Sequence, residues 1–366
     1  MQRYLKRILY GALALSALAG AVEFLIHHYD PTRVLYKRLK AADKYVYDEI
    51  DPIFRRTDPA TLIHIETPAD VAAARARLIG AIWGGGGFPA KARPSKVETG
   101  IDDAVLGALP NLARIDRITV DMGNGVRSYL YHLQPAQRRQ DRLVLYHHGF
   151  AGEIRDVPET IGAFLERGYA VLGLNLMAYG GNSGSVQAAD GGSHNLHFDL
   201  DRIENPLRYH FEPIVVGINY ALRAFGYRSV DIVGFSAGGF MAAVAAAIDP
   251  RIERSYPVAG AYPIYLRAGQ DIQKGMPSYY PPMLAAASYL DMFILGAAGT
   301  GRRQLQVFNR YDRCCFNNTK ATLYAPAVAA RAAALGGTFA VLIDQTHADH
   351  KVSRFALDAI LADMAR

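Results

Sequence analysis

The sequence predicts an α/β protein in which a mostly parallel central sheet carries helices on both faces, with a helical N-terminal extension and a cap insertion. Three observations predict it. From Arg142 onward, apolar runs of strand length alternate with segments of helix length, the pattern of parallel strands joined by crossover helices. Just before them, Arg117–Met122 and Val126–Leu133 flank Gly123-Asn124-Gly125, a hairpin signal. Finally, Gly234-Phe235-Ser236-Ala237-Gly238-Gly239 lies between an apolar run, Ser229–Val233, and a small-residue helix, Met241–Ile248. Glycines two before and two after a serine let strand and helix pass closely and push the hydroxyl out of the turn.

The chain divides into three parts. Residues 1–26 open with Arg3, Lys6 and Arg7 and continue into the mostly apolar run Ile8–Ile26, rich in Ala and Leu, with Glu23 near its end. This predicts an export signal or an N-terminal anchor with its positive end cytoplasmic. Ala17-Leu18-Ala19 offers a cleavage site, whereas the run itself approaches spanning length. An amphipathic helix packed on the domain is the alternative. The expected address is a bacterial periplasm or envelope, with membrane association through residues 1–26. Residues 27–112 are the extension. Tyr29–Tyr47 is basic and aromatic and reads as helix, and Thr67-Pro68 opens a second helix over Ala69–Trp83. Gly84–Gly87 stops it. This part either packs on the sheet or covers some of the site.

Residues 113–366 form the main domain. After the hairpin come strand Arg142–Tyr146, helix Val157–Arg167, strand Ala170–Leu176, helix Glu212–Phe225 and the serine-bearing strand and helix. Strand Glu253–Val258 leads into a long excursion over 261–304, in the position of a cap. Strand Leu305–Asn309, helix Ala325–Leu335, strand Thr338–Ile343 and a helix from Phe355, with Ser353 as its N-cap, complete the pattern.

Composition narrows the function. Apolar residues make up 51% of the 366, enough for a well-buried core, and the net charge is a mild +6. No dense basic run exists, which argues against nucleic-acid binding. The two cysteines, Cys314 and Cys315, are neighbours, so a disulfide framework is excluded. They are either small buried packing residues or a vicinal disulfide beside Asp312. No metal-binding histidine or cysteine pattern is present, and no cofactor is implied.

The chemistry-bearing residues follow in chain order. His147-His148-Gly149-Phe150 ends the strand Arg142–Tyr146. The N–H groups of Phe150 and Ala237 are the candidate oxyanion donors, while His148 either braces the loop or moves a proton. Asp312, three residues past a strand end, is the candidate acid that orients a histidine; otherwise it caps a turn. The loop Asp344–His350 carries two candidate bases, His347 and His350, the latter next to the final helix. His27, His28, His64, His132, His194, His197 and His210 have no comparable setting. Tyr179–Gly184 is placed at the site rim or is a mere turn. The tyrosines of 261–304 are placed to stack on a sugar, to line an acyl pocket or to pack inward, and Asp271 is a further candidate for the cleft.

On His148-Gly149-Phe150, Gly234–Gly239, Asp312 and the His347/His350 loop, residues 113–366 resemble the α/β-hydrolase superfamily of serine hydrolases. Ile252–Gly260 and Asn309–Phe316 are similar to a bacterial group within it. The resemblance implies an α/β-hydrolase fold and a serine nucleophile, Ser236, acting with Asp312 and one of the two histidines on a carboxylic ester of a small molecule, glycan or lipid. An amidase or peptidase of the same fold, a non-catalytic envelope binding protein and an anchored interaction protein are the alternatives. Oligomeric state is not legible.

Overall fold

A computed structural model of the chain describes residues 2–40, 46–187, 191–267 and 276–366. The strands are β1 (Lys96–Glu98), β2 (Leu112–Asp121), β3 (Arg127–Pro135), β4 (Arg142–His147), β5 (Ala170–Leu174), β6 (Ser185–Gln187), β7 (Ser193–Asn195), β8 (Ser229–Phe235), β9 (Ile252–Val258), β10 (Arg303–Asn309) and β11 (Thr338–Asp344). Among the described residues, nine of them form one sheet in the order β1-β2-β3-β5-β4-β8-β9-β10-β11, and β6 pairs with β7 separately. The β1, β2 and β3 edge is antiparallel, and β5, β4, β8, β9, β10 and β11 are parallel. The Gly123-Asn124-Gly125 turn joins β2 to β3, with all three residues at positive φ.

The helices are α1 (Gln2–His28), α2 (Asp30–Leu39), α3 (Pro68–Trp83), α4 (Pro158–Glu166), α5 (Arg208–Phe225), α6 (Ala237–Ile248), α7 (Pro281–Ala286), α8 (Tyr289–Ala297), α9 (Ala325–Ala334) and α10 (Arg354–Met364). Strand alternation sorts them into two layers. On β4, Leu143 and Leu145 face a core shared with α3, α5, α6, α8 and α9. Val144 and Tyr146 face the opposite core, shared with α4 and α10 through Ile161, Phe164, Leu357 and Ile360. A sheet covered on both faces needs continuous apolar strands, which is why β4, β5 and β8 are almost wholly buried.

Two regions differ in detail from the sequence reading. The extension is not purely helical, because β1 adds an edge strand to β2. The excursion 261–304 divides: α8 is buried against α6 and the sheet as a crossover helix between β9 and β10, whereas Arg267 and residues 276–279 face the site. The start of α3 is fixed by Thr67 and Asp70, which cap each other's backbone N–H groups. Helix α1 is long and apolar enough to cross a membrane by length and composition. Its 27 residues span about 40 Å at ~1.5 Å per residue. Its Leu and Phe side chains and Ile8 are exposed, with Ile26 half-buried at its end, so its apolar stretch is not packed on the domain.

Three buried histidines tie stability to pH. His132 Nε2 meets the Tyr227 hydroxyl at 2.9 Å, His147 Nδ1 donates to the His148 carbonyl at 2.9 Å, and His210 Nε2 donates to the Leu196 carbonyl at 2.8 Å. Burial pushes His132 and His147 down to about 4 and His210 to about 3. Above pH ~6.5 these side chains are neutral folded or unfolded. Below it the unfolded chain takes up protons that the folded chain refuses, so stability falls by about 1.4 kcal/mol per pH unit for each. Asp231 acts oppositely: burial raises it to about 6, so it favours the folded state as pH falls below that value, offsetting one histidine. Thermal melts should therefore show Tm falling steadily from pH 6.5 to 4.5. A flat profile would contradict the buried neutral assignments.

Candidate active site

Strand β8 runs directly into α6 through one residue. Ser236 has φ 57° and ψ −122°, a conformation that non-glycine residues seldom adopt and that persists only where the surroundings fix it. Here its N–H donates to the Val258 carbonyl at 2.8 Å and its carbonyl accepts from Gly239 at 2.8 Å. The close approach needs Gly234 and Gly238: a Cβ on the first would lie 1.9 Å from the Gly238 oxygen, and on the second 2.1 Å from the His147 oxygen.

The structure brings Ser236, His350 and Asp312 together. His350 Nε2 lies 2.8 Å from Ser236 Oγ, and its Nδ1 lies 2.5 Å from Asp312 Oδ2. Asp312 is fully buried beyond the end of β10, and its other oxygen accepts the Cys314 N–H at 2.7 Å. The His350 ring rests on Phe235, centroids 4.7 Å apart. Asn309 Nδ2 donates to the Lys351 carbonyl at 2.9 Å, tying the histidine loop to the end of β10.

His347 points elsewhere. It is 1% exposed, its Nε2 is 3.2 Å from Asp344 Oδ2 and its Nδ1 accepts the Asp349 N–H at 3.1 Å. Asp344 also accepts from the Thr346 N–H and hydroxyl and from the Ser353 hydroxyl. Burial would raise this carboxyl, but the His347 contact and those hydrogen bonds outweigh it and hold it at about 2. Ser353 in turn caps α10 by accepting the Ala356 N–H. The cluster fixes the loop that presents His350.

Gly149 abuts the serine, since a Cβ there would sit 2.7 Å from Ser236 Cβ. His148 is buried between the rings of Tyr146 and Phe235. Burial lowers its pKa, Asp156 raises it and His350 lowers it further. The N–H groups of Phe150 and Ala237 have no acceptor among the described residues.

Ser236, His350, Phe150 and Ala237 open on a cavity of about 1100 Å³. Its other walls come from residues 46–54 of the extension, 276–279 and 313–318, together with Arg267 and Lys320. Sequence reasoning missed Arg267 and Lys320, because no spacing distinguishes a buried cation from a surface one. It allowed for a covering extension but named none of the lining residues. Of the tyrosines in the excursion, Tyr279 lines the cavity, whereas Tyr262 and Tyr289 are buried. Asp271 lies outside the described residues. The Tyr179 loop is structural through Asn182, which accepts from the Tyr129 N–H and donates to the Asn175 and Leu176 carbonyls; Tyr179 itself packs edge-on against Phe150.

Cys314 and Cys315 are joined as a disulfide and line the cavity, Cys314 exposed and Cys315 half-buried. The reading of two buried packing residues is therefore corrected. Their sulfurs and a His350 nitrogen lie within 4.8 Å of one another. A metal would need thiolates and a free imidazole nitrogen, but the sulfurs are bonded to each other and both His350 nitrogens are engaged.

A family model described as alpha/beta hydrolase fold matches residues 142–255. Among curated proteins, none matches the sequence. Solved structures do match in shape. The methylesterase BT1017 superposes with a TM-score of 0.62 at 14% identity, over 88% of this chain and 69% of that one. Acetyl xylan esterase 1 from Thermoanaerobacterium sp. gives 0.55 at 14% identity, over 87% and 98%. The glucuronoyl esterase from Solibacter usitatus gives 0.52 at 14% identity, over 81% and 90%. The chain has the α/β-hydrolase fold.

The two loop histidines should separate by stability. His347→Ala opens a cavity and removes a partner of buried Asp344, so a loss of about 2–4 kcal/mol is expected, read as a lower Tm. The His350 side chain is 24% exposed, and His350→Ala should change Tm far less. Equal losses would contradict the distinct settings.

Proposed function

We propose that this protein is a serine hydrolase that cleaves carboxylic esters through an acyl-enzyme. The observation that carries the reading is the continuous hydrogen-bonded chain Asp312–His350–Ser236 at the wall of a large cavity. Ser236 Oγ attacks the ester carbonyl and passes its proton to His350 Nε2. Asp312 keeps Nδ1 protonated and stabilises the imidazolium. The N–H groups of Phe150 and Ala237 receive the oxyanion. When the tetrahedral species collapses, the carbon–oxygen bond to the alcohol breaks and His350 gives its proton to the departing oxygen. Water, deprotonated by the same imidazole, then releases the acid. No cofactor enters the scheme.

The esterase reading is further supported by the fold shared with a methylesterase, an acetyl xylan esterase and a glucuronoyl esterase. We further propose that α1 holds the enzyme at a membrane or serves as an export signal, with the hydrolase facing the periplasm.

A fluorophosphonate probe should label Ser236 in the wild type and nothing in Ser236→Ala. On a short activated ester, Ser236→Ala and His350→Ala should each lower kcat roughly 10⁴-fold or more. His347→Ala, assayed where it remains folded, should lose far less. An unlabelled, folded wild type would sink the proposal, and faster turnover of a matched amide would replace esterase with amidase.

A further inference from the structure

The cavity wall holds two buried cations with no carboxylate partner among the described residues. Lys320 is 7% exposed and Arg267 2%. Lys320 Nζ donates to the Leu266 carbonyl at 3.2 Å and lies over the rings of Phe54, 4.6 Å away, and Tyr262, 5.5 Å away. Arg267 donates to the Tyr262 carbonyl at 2.8 Å, the Ser278 hydroxyl at 3.4 Å and the Tyr289 hydroxyl at 3.2 Å. Tyr279, Tyr289 and Phe316 surround its guanidinium at 4.8–5.1 Å. Every one of these partners is neutral. Among the described residues no carboxylate pairs with either cation, and the acids of the cavity wall, Glu49 and Asp51, are exposed.

Burying a charge is unfavourable unless it is paired. Carbonyls and ring faces satisfy these two only in part: Lys320 uses one of three N–H donors and Arg267 three of five. Burial pulls the Lys320 pKa down, as expected where no anion compensates. A purely structural role would satisfy the donors of such residues within the fold. Buried Arg302 does so without an ion pair, its five donors all going to the carbonyls of Ile252, Leu295, Ala298 and Ala246. An open cavity wall with spare donors instead leaves the pairing to whatever fills the cavity.

We infer that Lys320 and Arg267 form a subsite for an oxyanionic group, carboxylate or phosphate, carried by the ester that Ser236 attacks. The inference rests on the esterase reading for the word ester, but the subsite can be tested without turnover. Ser236→Ala would be titrated calorimetrically with para-acetoxybenzoate, para-acetoxyphenyl phosphate and the neutral methyl para-acetoxybenzoate. One or both anions should bind about tenfold or more tighter than the neutral ester, the scale of a charge-assisted hydrogen bond, and the better anion names the source. Adding Lys320→Gln should remove most of that preference, and Lys320→Arg should restore part of it. Equal binding of all three ligands, or a preference that survives Lys320→Gln in folded protein, would overturn the inference. If the glutamine variant does not fold, the preference of Ser236→Ala alone decides. Failed fluorophosphonate labelling of the wild type would count against the hydrolase reading and leave the anion preference still measurable.

Discussion

A methyl group on Gly234 would sit 1.9 Å from the Gly238 oxygen, and one on Gly238 would sit 2.1 Å from the His147 oxygen. This contact of strand end, helix start and neighbouring strand lets α6 begin one residue after β8. It forces Ser236 into its positive φ and leaves the Ala237 N–H at the helix end without an acceptor among the described residues. The rest of the site is arranged around a serine whose position the backbone has already fixed. β4 supplies Gly149 against it, and β10 and β11 lead into the loops that carry Asp312 and His350. The six strands from β5 to β11 in the sheet are parallel, so their C-terminal ends lie on one side, where loops converge without long excursions.

The N-terminal segment holds those loops from outside. Lys37 of α2 donates to the Ala348 carbonyl and lies 3.0 Å from Asp349, which Arg33 meets at 2.8 Å. Arg313 donates to the carbonyls of Lys37 and Lys40, and Asn318 to those of Val46 and Glu49. Tyr47 stacks edge-on against Tyr311, the residue before Asp312. Partly buried charged contacts of this kind are stronger than exposed ones, and they act on both loops at once. The same stretch begins at the end of α1. Whatever holds α1 is therefore joined by one short segment to the loops bearing the acid and the histidine.

The fold was legible because its strands are continuous apolar runs and its turn residues are specific. The Gly123–Gly125 hairpin, the β8–α6 junction and the capped start of α3 each rest on short-range chemistry. Ser236 and Asp312 were legible for the same reason, each sitting at a fixed offset from a strand end. The two histidines were not separable, because His347 and His350 share a loop and differ only in the direction the chain takes after Asp344. That direction is set by Asp344 accepting from Thr346 and Ser353, a network of three side chains that no spacing announces. β1 escaped notice as a three-residue edge strand that pairs with β2 and packs a single apolar side chain, Val97, on the core. The buried helix α8 was hidden because a long apolar excursion reads equally well as a cap.

The cavity is where sequence reading runs out. Its walls combine residues 46–54, Arg267 with residues 276–279, and the vicinal disulfide with Lys320, three regions far apart in the chain. Parallel strands and a serine turn are properties of the fold, and unrelated activities share them. The lining is a property of this chain, because two of its walls lie before β2 and in the stretch preceding α7. That is why likeness at 14% identity extends to the fold and says nothing of the lining. Arg267 and Lys320 stand on that wall with no carboxylate partner among the described residues, and the proposed anion subsite depends on them.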